Sequence, residues 1–247
     1  MNEISALLFV AAAATLLVSA LVWGARLPLF TLREVAVTHE LREVRRSEVE
    51  HALSGRIRGN FFSVNLDALR QSLEQLPWVR KAEVRRLWPS SIEISIEEHI
   101  PVAYWGQVPG QLVNAYGEVF SGVMSTPPQA PLPVLNGPVG LAPEMLSYYQ
   151  QAEELLKPLG RWPRSLNISP RLALQVRLDD GMIIELGRQQ TKAPIRQRME
   201  RFVEYYPSVL TAAKQKPGIV DMRYPNGFAL RINAPAAVSA IESKGKP

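Results

Sequence analysis

The chain has 247 residues, a net charge of +5 and 47% hydrophobic residues, which is enough length for an apolar span and two soluble cores. It contains no cysteine, which excludes disulfides, thiolate catalysis and cysteine-ligated metals. Its basic excess is interleaved with acids, as in Arg80-Lys81-Ala82-Glu83-Val84-Arg85-Arg86. That pattern reads as a solvated strand face, and no nucleic-acid motif accompanies it.

Ile4 to Ala25 runs 22 residues without a formal charge. At about 1.5 Å per residue a helix there reaches roughly 33 Å, enough to cross a hydrocarbon core of about 30 Å. The run is longer than a signal-peptide core, has no basic segment before it and ends Leu21-Val22-Trp23-Gly24-Ala25, a poor cleavage site. A retained anchor over residues 4–25 is expected, preceded by a very short segment, 1–3. Arg26 and Arg33 follow the span and only the α-amino group precedes it, so charge alone leaves both orientations open.

After the span, Val35 and Val37 alternate with polar or small neighbours as in a half-buried strand. Ser47 is expected to cap a short helix that carries Glu48 and Glu50 in its first turns and stops at Gly55. Leu66, Leu69, Leu73 and Leu76 form one apolar stripe, closed by Pro77. Strands 78–87 and 91–98 flank Trp88-Pro89-Ser90, with Ile92, Ile94 and Ile96 on one face and Glu93, Ser95 and Glu97 on the other. The predicted unit is strand, helix, helix, strand, strand, with two helices on one side of a three-stranded sheet.

From Pro101 on, short antiparallel strands are predicted at 102–105, 111–114 and 118–120, with a turn at Ala115-Tyr116-Gly117. The proline-rich stretch 125–143 reads as a loop, and Met145, Tyr149, Ala152, Leu156 and Leu159 as one face of a helix. Leu172, Leu174, Val176 and Leu178 alternate, and Asp179-Asp180-Gly181 turns the chain into Met182–Leu186, a second hairpin. Ile195, Met199, Phe202, Val203 and Tyr206 mark an amphipathic helix whose opposite face is expected to carry Arg196, Arg198, Glu200 and Arg201. A last hairpin, 219–224 and 228–232, is expected around a type I turn at Pro225-Asn226-Gly227, before a polar, disordered tail at 235–247.

Candidate chemistry is sparse. His39, His51 and His99 show no metal-ligand spacing, and the paired acids Glu97-Glu98 and Asp179-Asp180 lie on opposite strand faces and in a turn. The only Ser-x-x-Lys, Ser243 to Lys246, sits in the tail. No catalytic, metal or cofactor site is expected. Binding through backbone fits better, because a final strand at Phe228–Ile232 leaves one row of N–H and C=O groups unpaired unless another strand or the tail covers it.

Gly59-Asn60-Phe61-Phe62-Ser63-Val64-Asn65, then Leu76-Pro77-Trp78-Val79-Arg80-Lys81-Ala82-Glu83-Val84-Arg85-Arg86-Leu87-Trp88-Pro89 and Ile96-Glu97-Glu98-His99-Ile100-Pro101-Val102-Ala103 follow the apolar span. Further along stand Leu112-Val113-Asn114, Gly117-Glu118-Val119-Phe120, Ile184-Glu185-Leu186-Gly187-Arg188 and Asp221-Met222-Arg223-Tyr224-Pro225-Asn226-Gly227-Phe228-Ala229. Together and in this order they resemble the bacterial cell-division family FtsQ, known as DivIB in Gram-positives. The resemblance implies an α+β fold: a transmembrane helix at 4–25, a POTRA domain (β-α-α-β-β) at 31–100, an antiparallel β domain with flanking helices at 101–234, and the tail at 235–247. It also implies a non-catalytic, single-pass type II protein of the inner membrane, periplasmic in its C-terminal domains and enriched at the division septum. There it would link early and late division proteins and bind FtsB, and through it FtsL, by strand addition.

Residues implied in partner binding are Arg171, Arg223, Tyr224, Asn226, Gly227, Phe228, Ala229, Leu230, Arg231 and Ile232; the family often has Trp where this sequence has Ile232. Tyr224 and Phe228 are the expected buried anchors. Rival readings are a membrane-tethered periplasmic cell-wall enzyme, or another POTRA-containing assembly factor, although too few residues follow Pro101 for a large outer-membrane barrel.

Overall fold

The computed structural model describes residues 3–25, 34–38, 41–57, 60–138, 140–212, 217–224 and 227–231. It divides into two compact units, Met1–His99 and Ile100–Pro247. Expectations for residues 1–2, His39, Gly59, Pro225, Asn226, Ile232 and the 235–247 tail lie outside the described residues.

Helix α1 (Glu3–Ala25) is apolar on every face and its described side chains are all exposed. It is long and apolar enough to cross a membrane. The Thr15 hydroxyl donates to the Ala11 carbonyl at 2.8 Å, so this polar group is satisfied within the helix.

In the first unit, β1 (Glu34–Val37), β2 (Val79–Leu87) and β3 (Ser91–Glu98) form a sheet in the order β1-β3-β2. β1 runs parallel to β3, β2 antiparallel to it, and Glu34, Ser91 and Leu87 share one rung. Ile92, Ile94 and Ile96 are buried, as the alternation predicts, with Val49 and Leu53 of α2 (Arg46–Leu53) and Leu69 and Leu73 of α3 (Leu66–Glu74). Asn65 caps α3 by accepting the Ala68 N–H at 3.0 Å.

α2, however, is capped at Arg45, not at Ser47. The reason lies at the end of β3: the Glu98 carboxylate accepts the backbone N–H groups of Arg42, Glu43 and Val44 at 2.7–3.2 Å and so sets where the helix begins. Glu48 then accepts the Arg45 N–H at 3.2 Å. Across the sheet, Arg86 donates to the carbonyls of Phe61, Phe62 and Val64, while Asn60 Oδ1 accepts from Phe62 and Ser63. The Asn-Phe-Phe-Ser-Val motif is thus a loop tied down from both sides.

The second unit is a nine-stranded sheet covered on one face by α4 (Ala142–Leu156) and α5 (Ile195–Ala212). Its strands are β4 (Pro101–Trp105), β5 (Gln111–Asn114), β6 (Val119–Ser121), β7 (Val134–Asn136), β8 (Pro163–Ile168), β9 (Leu174–Leu178), β10 (Ile183–Gly187), β11 (Ile219–Asp221) and β12 (Ala229–Arg231). They lie in the order β12-β11-β10-β9-β8-β7-β4-β5-β6. Pairings β4/β7, β7/β8 and β10/β11 are parallel, so the sheet is mixed.

Four expectations are corrected here. The proline-rich stretch is not all loop, since Val134–Asn136 forms β7 between β8 and β4, with the Pro133 carbonyl accepting the Tyr104 N–H at 2.8 Å. β8 was not predicted; its leading Pro163 stands at the first strand position, where no ladder N–H is needed. Leu172 is not a strand residue but a turn residue at φ 61°, and β9 begins at Leu174. The strands of the final hairpin are shorter than expected, since β11 ends at Asp221 and β12 begins only at Ala229, while the turn expected at 225–227 lies partly outside the described residues.

Asn114 and Gly117 show what the Leu-Val-Asn and Gly-Glu-Val-Phe segments do. Asn114 Oδ1 accepts the N–H groups of Tyr116 and Glu118, both at 2.9 Å, building the turn between β5 and β6. Gly117 sits at φ +81°, where a Cβ would lie 2.5 Å from Pro143 Cα, so the start of α4 closes directly on this turn.

Candidate binding edge

The registers of the second sheet line up one apolar row across seven strands: Trp105, Leu135, Leu166, Val176, Ile184, Val220 and Leu230. The first six are at most 8% exposed and Leu230 is 41% exposed. The row stops because the sheet stops: among the described residues nothing pairs with the outer side of β12. A short edge strand with one exposed leucine has the features of a strand-addition site.

Beside this row, on the face away from the helices, Gln175, Glu185, Asp221 and Ala229 occupy a second rung. Arg223 folds back over it, donating Nε–H and Nη2 to the Asp221 carboxylate at 2.8 and 2.5 Å and approaching Glu185 Oε2 at 3.2 Å. The bond to Arg223 holds the Asp221 carboxyl below its ordinary range and pushes the Arg223 guanidinium up. Gly187 makes room: at φ +72°, a Cβ there would come within 3.0 Å of Arg223 Cγ.

The opposite flank is α5. Arg201 Nη1 donates to the Tyr224 carbonyl at 3.1 Å, and the rings of Tyr205 and Phe228 lie 6.4 Å apart. Gln197, Glu200, Arg201, Glu204, Tyr205, Gly227 and Phe228 line an open groove of about 560 Å³ along the start of β12.

Seven of the ten sequence-derived site residues stand together here: Arg223, Tyr224, Gly227, Phe228, Ala229, Leu230 and Arg231. Asn226 and Ile232 lie outside the described residues. Arg171 is exposed in the turn before β9, at the same end of the sheet but three strands inward, roughly 15 Å away at the usual strand spacing. As anchors, Tyr224 and Phe228 differ. Tyr224 is 56% exposed, whereas Phe228 is already half-buried against the unit's own core, and Leu230 is the apolar side chain left open on β12 itself.

Arg198 was placed on the solvent face of its helix by sequence and is instead 1% exposed. Its Nη1 donates to the carbonyls of Leu186 and Arg188, and burial lowers its pKa. It therefore pins the bulged end of β10 to α5, beneath Gly187 and Arg223. The available signal was its position between Ile195 and Phe202 on the apolar stripe.

Comparison with known families accounts for both units. A profile described as the FtsQ-type POTRA domain matches residues 30–99, and one described as cell division protein FtsQ/DivIB, C-terminal, matches 103–223. Among curated relatives, a protein of Nitrosospira multiformis described as cell division protein FtsQ is 36% identical over 236 residues, covering 94% of this chain and 96% of its own. The proteins of the same description from Burkholderia pseudomallei and Bordetella pertussis are 37% and 34% identical, covering 85% and 100% of this chain and 82% and 96% of their own.

Proposed function

Because this chain belongs to the FtsQ/DivIB family of cell-division proteins, we propose that it is a non-catalytic scaffold of the divisome that binds the FtsB/FtsL pair by strand addition to β12. In this reading α1 crosses the inner membrane once, with residues 1–3 cytoplasmic. The POTRA domain at 31–100 and the β domain at 101–234 work in the periplasm at the septum. The observation that carries the reading is the apolar row that runs out, still exposed, at Leu230. A partner strand would supply the missing backbone ladder and cover that leucine, with Tyr224 as a neighbouring anchor worth about 2 kcal/mol if it behaves as an interface hot spot.

The test is a pull-down of FtsB/FtsL by the full chain and by its Leu230→Asp, Tyr224→Ala and Ala229→Pro variants, with thermal melts as the folding control. About tenfold or greater loss of binding with an unchanged melt is expected for Leu230→Asp and Ala229→Pro. Full binding by both would refute strand addition at this edge. Purified soluble domain is expected to leave peptidoglycan unchanged, and turnover would favour the enzyme reading.

A further inference from the structure

The first unit carries an exposed apolar cluster that the partner-binding reading does not use. Trp88 is 76% exposed at the β2–β3 turn, Leu87 beside it 51%, and Phe62 in the α2–α3 connection 51%. Arg86 joins the two segments by donating to the carbonyls of Phe61, Phe62 and Val64. Arg85 and Arg86 precede Leu87 in β2. Arg85 pairs with Glu93, but Arg86 has no carboxylate partner among the described residues. An exposed tryptophan and leucine beside an arginine without a carboxylate partner is the chemistry of the lipid headgroup layer, where amphipathic rings and basic side chains both gain.

The topology puts this cluster at the correct end. Glu34, the first residue of β1, shares a rung with Ser91 and Leu87, so the chain arriving from α1 joins the sheet beside the turn that carries Trp88. Only eight residues separate Ala25 from Glu34, a tether of about 30 Å at most. Among the described residues of the first unit, the opposite end of the sheet, where Glu98 holds residues 42–44, carries no large exposed apolar side chain.

We propose that the Trp88 turn and the neighbouring Phe62 loop rest on the anionic lipid surface of the membrane that α1 enters, so that the first unit is held against the bilayer at a second point. This rests on reading α1 as a membrane anchor. The attraction of arginine to anionic headgroups is screened by salt.

The absence of cysteine permits a direct test. The full chain carrying Ser90→Cys with a polarity-sensitive fluorophore is reconstituted into vesicles of phosphatidylcholine, with or without about 30% phosphatidylglycerol. Gln75→Cys, at the far end of the sheet, is the control. Expected are a blue shift and quenching by lipid-attached nitroxides at position 90 but not 75. Both should be larger with phosphatidylglycerol and fall by roughly half or more in Leu87→Glu/Trp88→Glu, whose exposed positions leave the core intact. Aqueous emission at position 90 on every vesicle, from protein that still floats with the lipid, would overturn the proposal while sparing the anchor. Protein that fails to float would sink the anchor reading itself. Equal signals at 75 and 90, equal signals in both lipids, or a shift that appears only as protein density rises, as for pairing with a second copy, would also overturn it.

Discussion

Arg223 and Asp221 show how a short stretch of chain is made rigid beside an open edge. The hydrogen bond to Arg223 depresses the folded-state pKa of Asp221, so this pair stabilises the fold above the ordinary carboxylate range and loses that contribution as pH falls through the depressed value. Melting temperature followed against pH should therefore show an acid step below about pH 4 that Asp221→Asn removes. Gly187→Ala should cost about 1–2 kcal/mol, read in urea unfolding, because the left-handed backbone and the crowding against Arg223 add. Arg198 illustrates a limit of reading sequence by polarity. A charged residue on a helical stripe looks solvated, and only the bulge that turns the Leu186 and Arg188 carbonyls toward α5 provides its buried acceptors. Arg198→Ala should destabilise by several kcal/mol, since it removes both bonds and leaves a void, whereas Arg198→Met should cost less.

At the scale of elements, sequence made legible whatever alternated, repeated on one helical face or flanked a turn signal: β2, β3, α3, α4, α5, the short strands β4, β5 and β6, and the β9–β10 hairpin. What it hid were β7 and β8, whose burial comes from neighbours distant in the chain. β7 is the clearest case, because Pro131 and Pro133 signal a loop, yet Leu135 completes the apolar row between Trp105 and Leu166. β12 is equally short and is legible as a strand through the Pro225-Asn226-Gly227 turn signal before it and its place after β11. The edge itself depends on the register Val220 to Leu230, which no local pattern reports. In the first unit, the Glu97-Glu98 pair divides its work: Glu97 meets Arg80 at 3.0 Å, while Glu98 gathers three backbone donors. Glu98→Ala should therefore lower stability by about 1–3 kcal/mol, as three N–H groups lose their acceptor, and Glu97→Ala by much less.

At the scale of the molecule, the second unit's hydrophobic cluster draws its buried members entirely from residues 103 to 222. A fragment spanning Ile100–Pro247 should keep the melting transition it has in the full chain, and the Glu98→Ala shift should be confined to the other transition; calorimetry of both would check this. The sheet has a further consequence at high expression. β12 carries no proline or lysine, and its exposed leucine ends a row that is otherwise sealed. If strand addition at β12 is how the chain binds, a cell that makes it in excess of its partners accumulates molecules with an adhesive border, and such borders are prone to join to one another. On that reading, balanced synthesis with the partners is needed for solubility as well as for assembly. Sedimentation of the isolated second unit should show concentration-dependent self-association that Leu230→Lys abolishes.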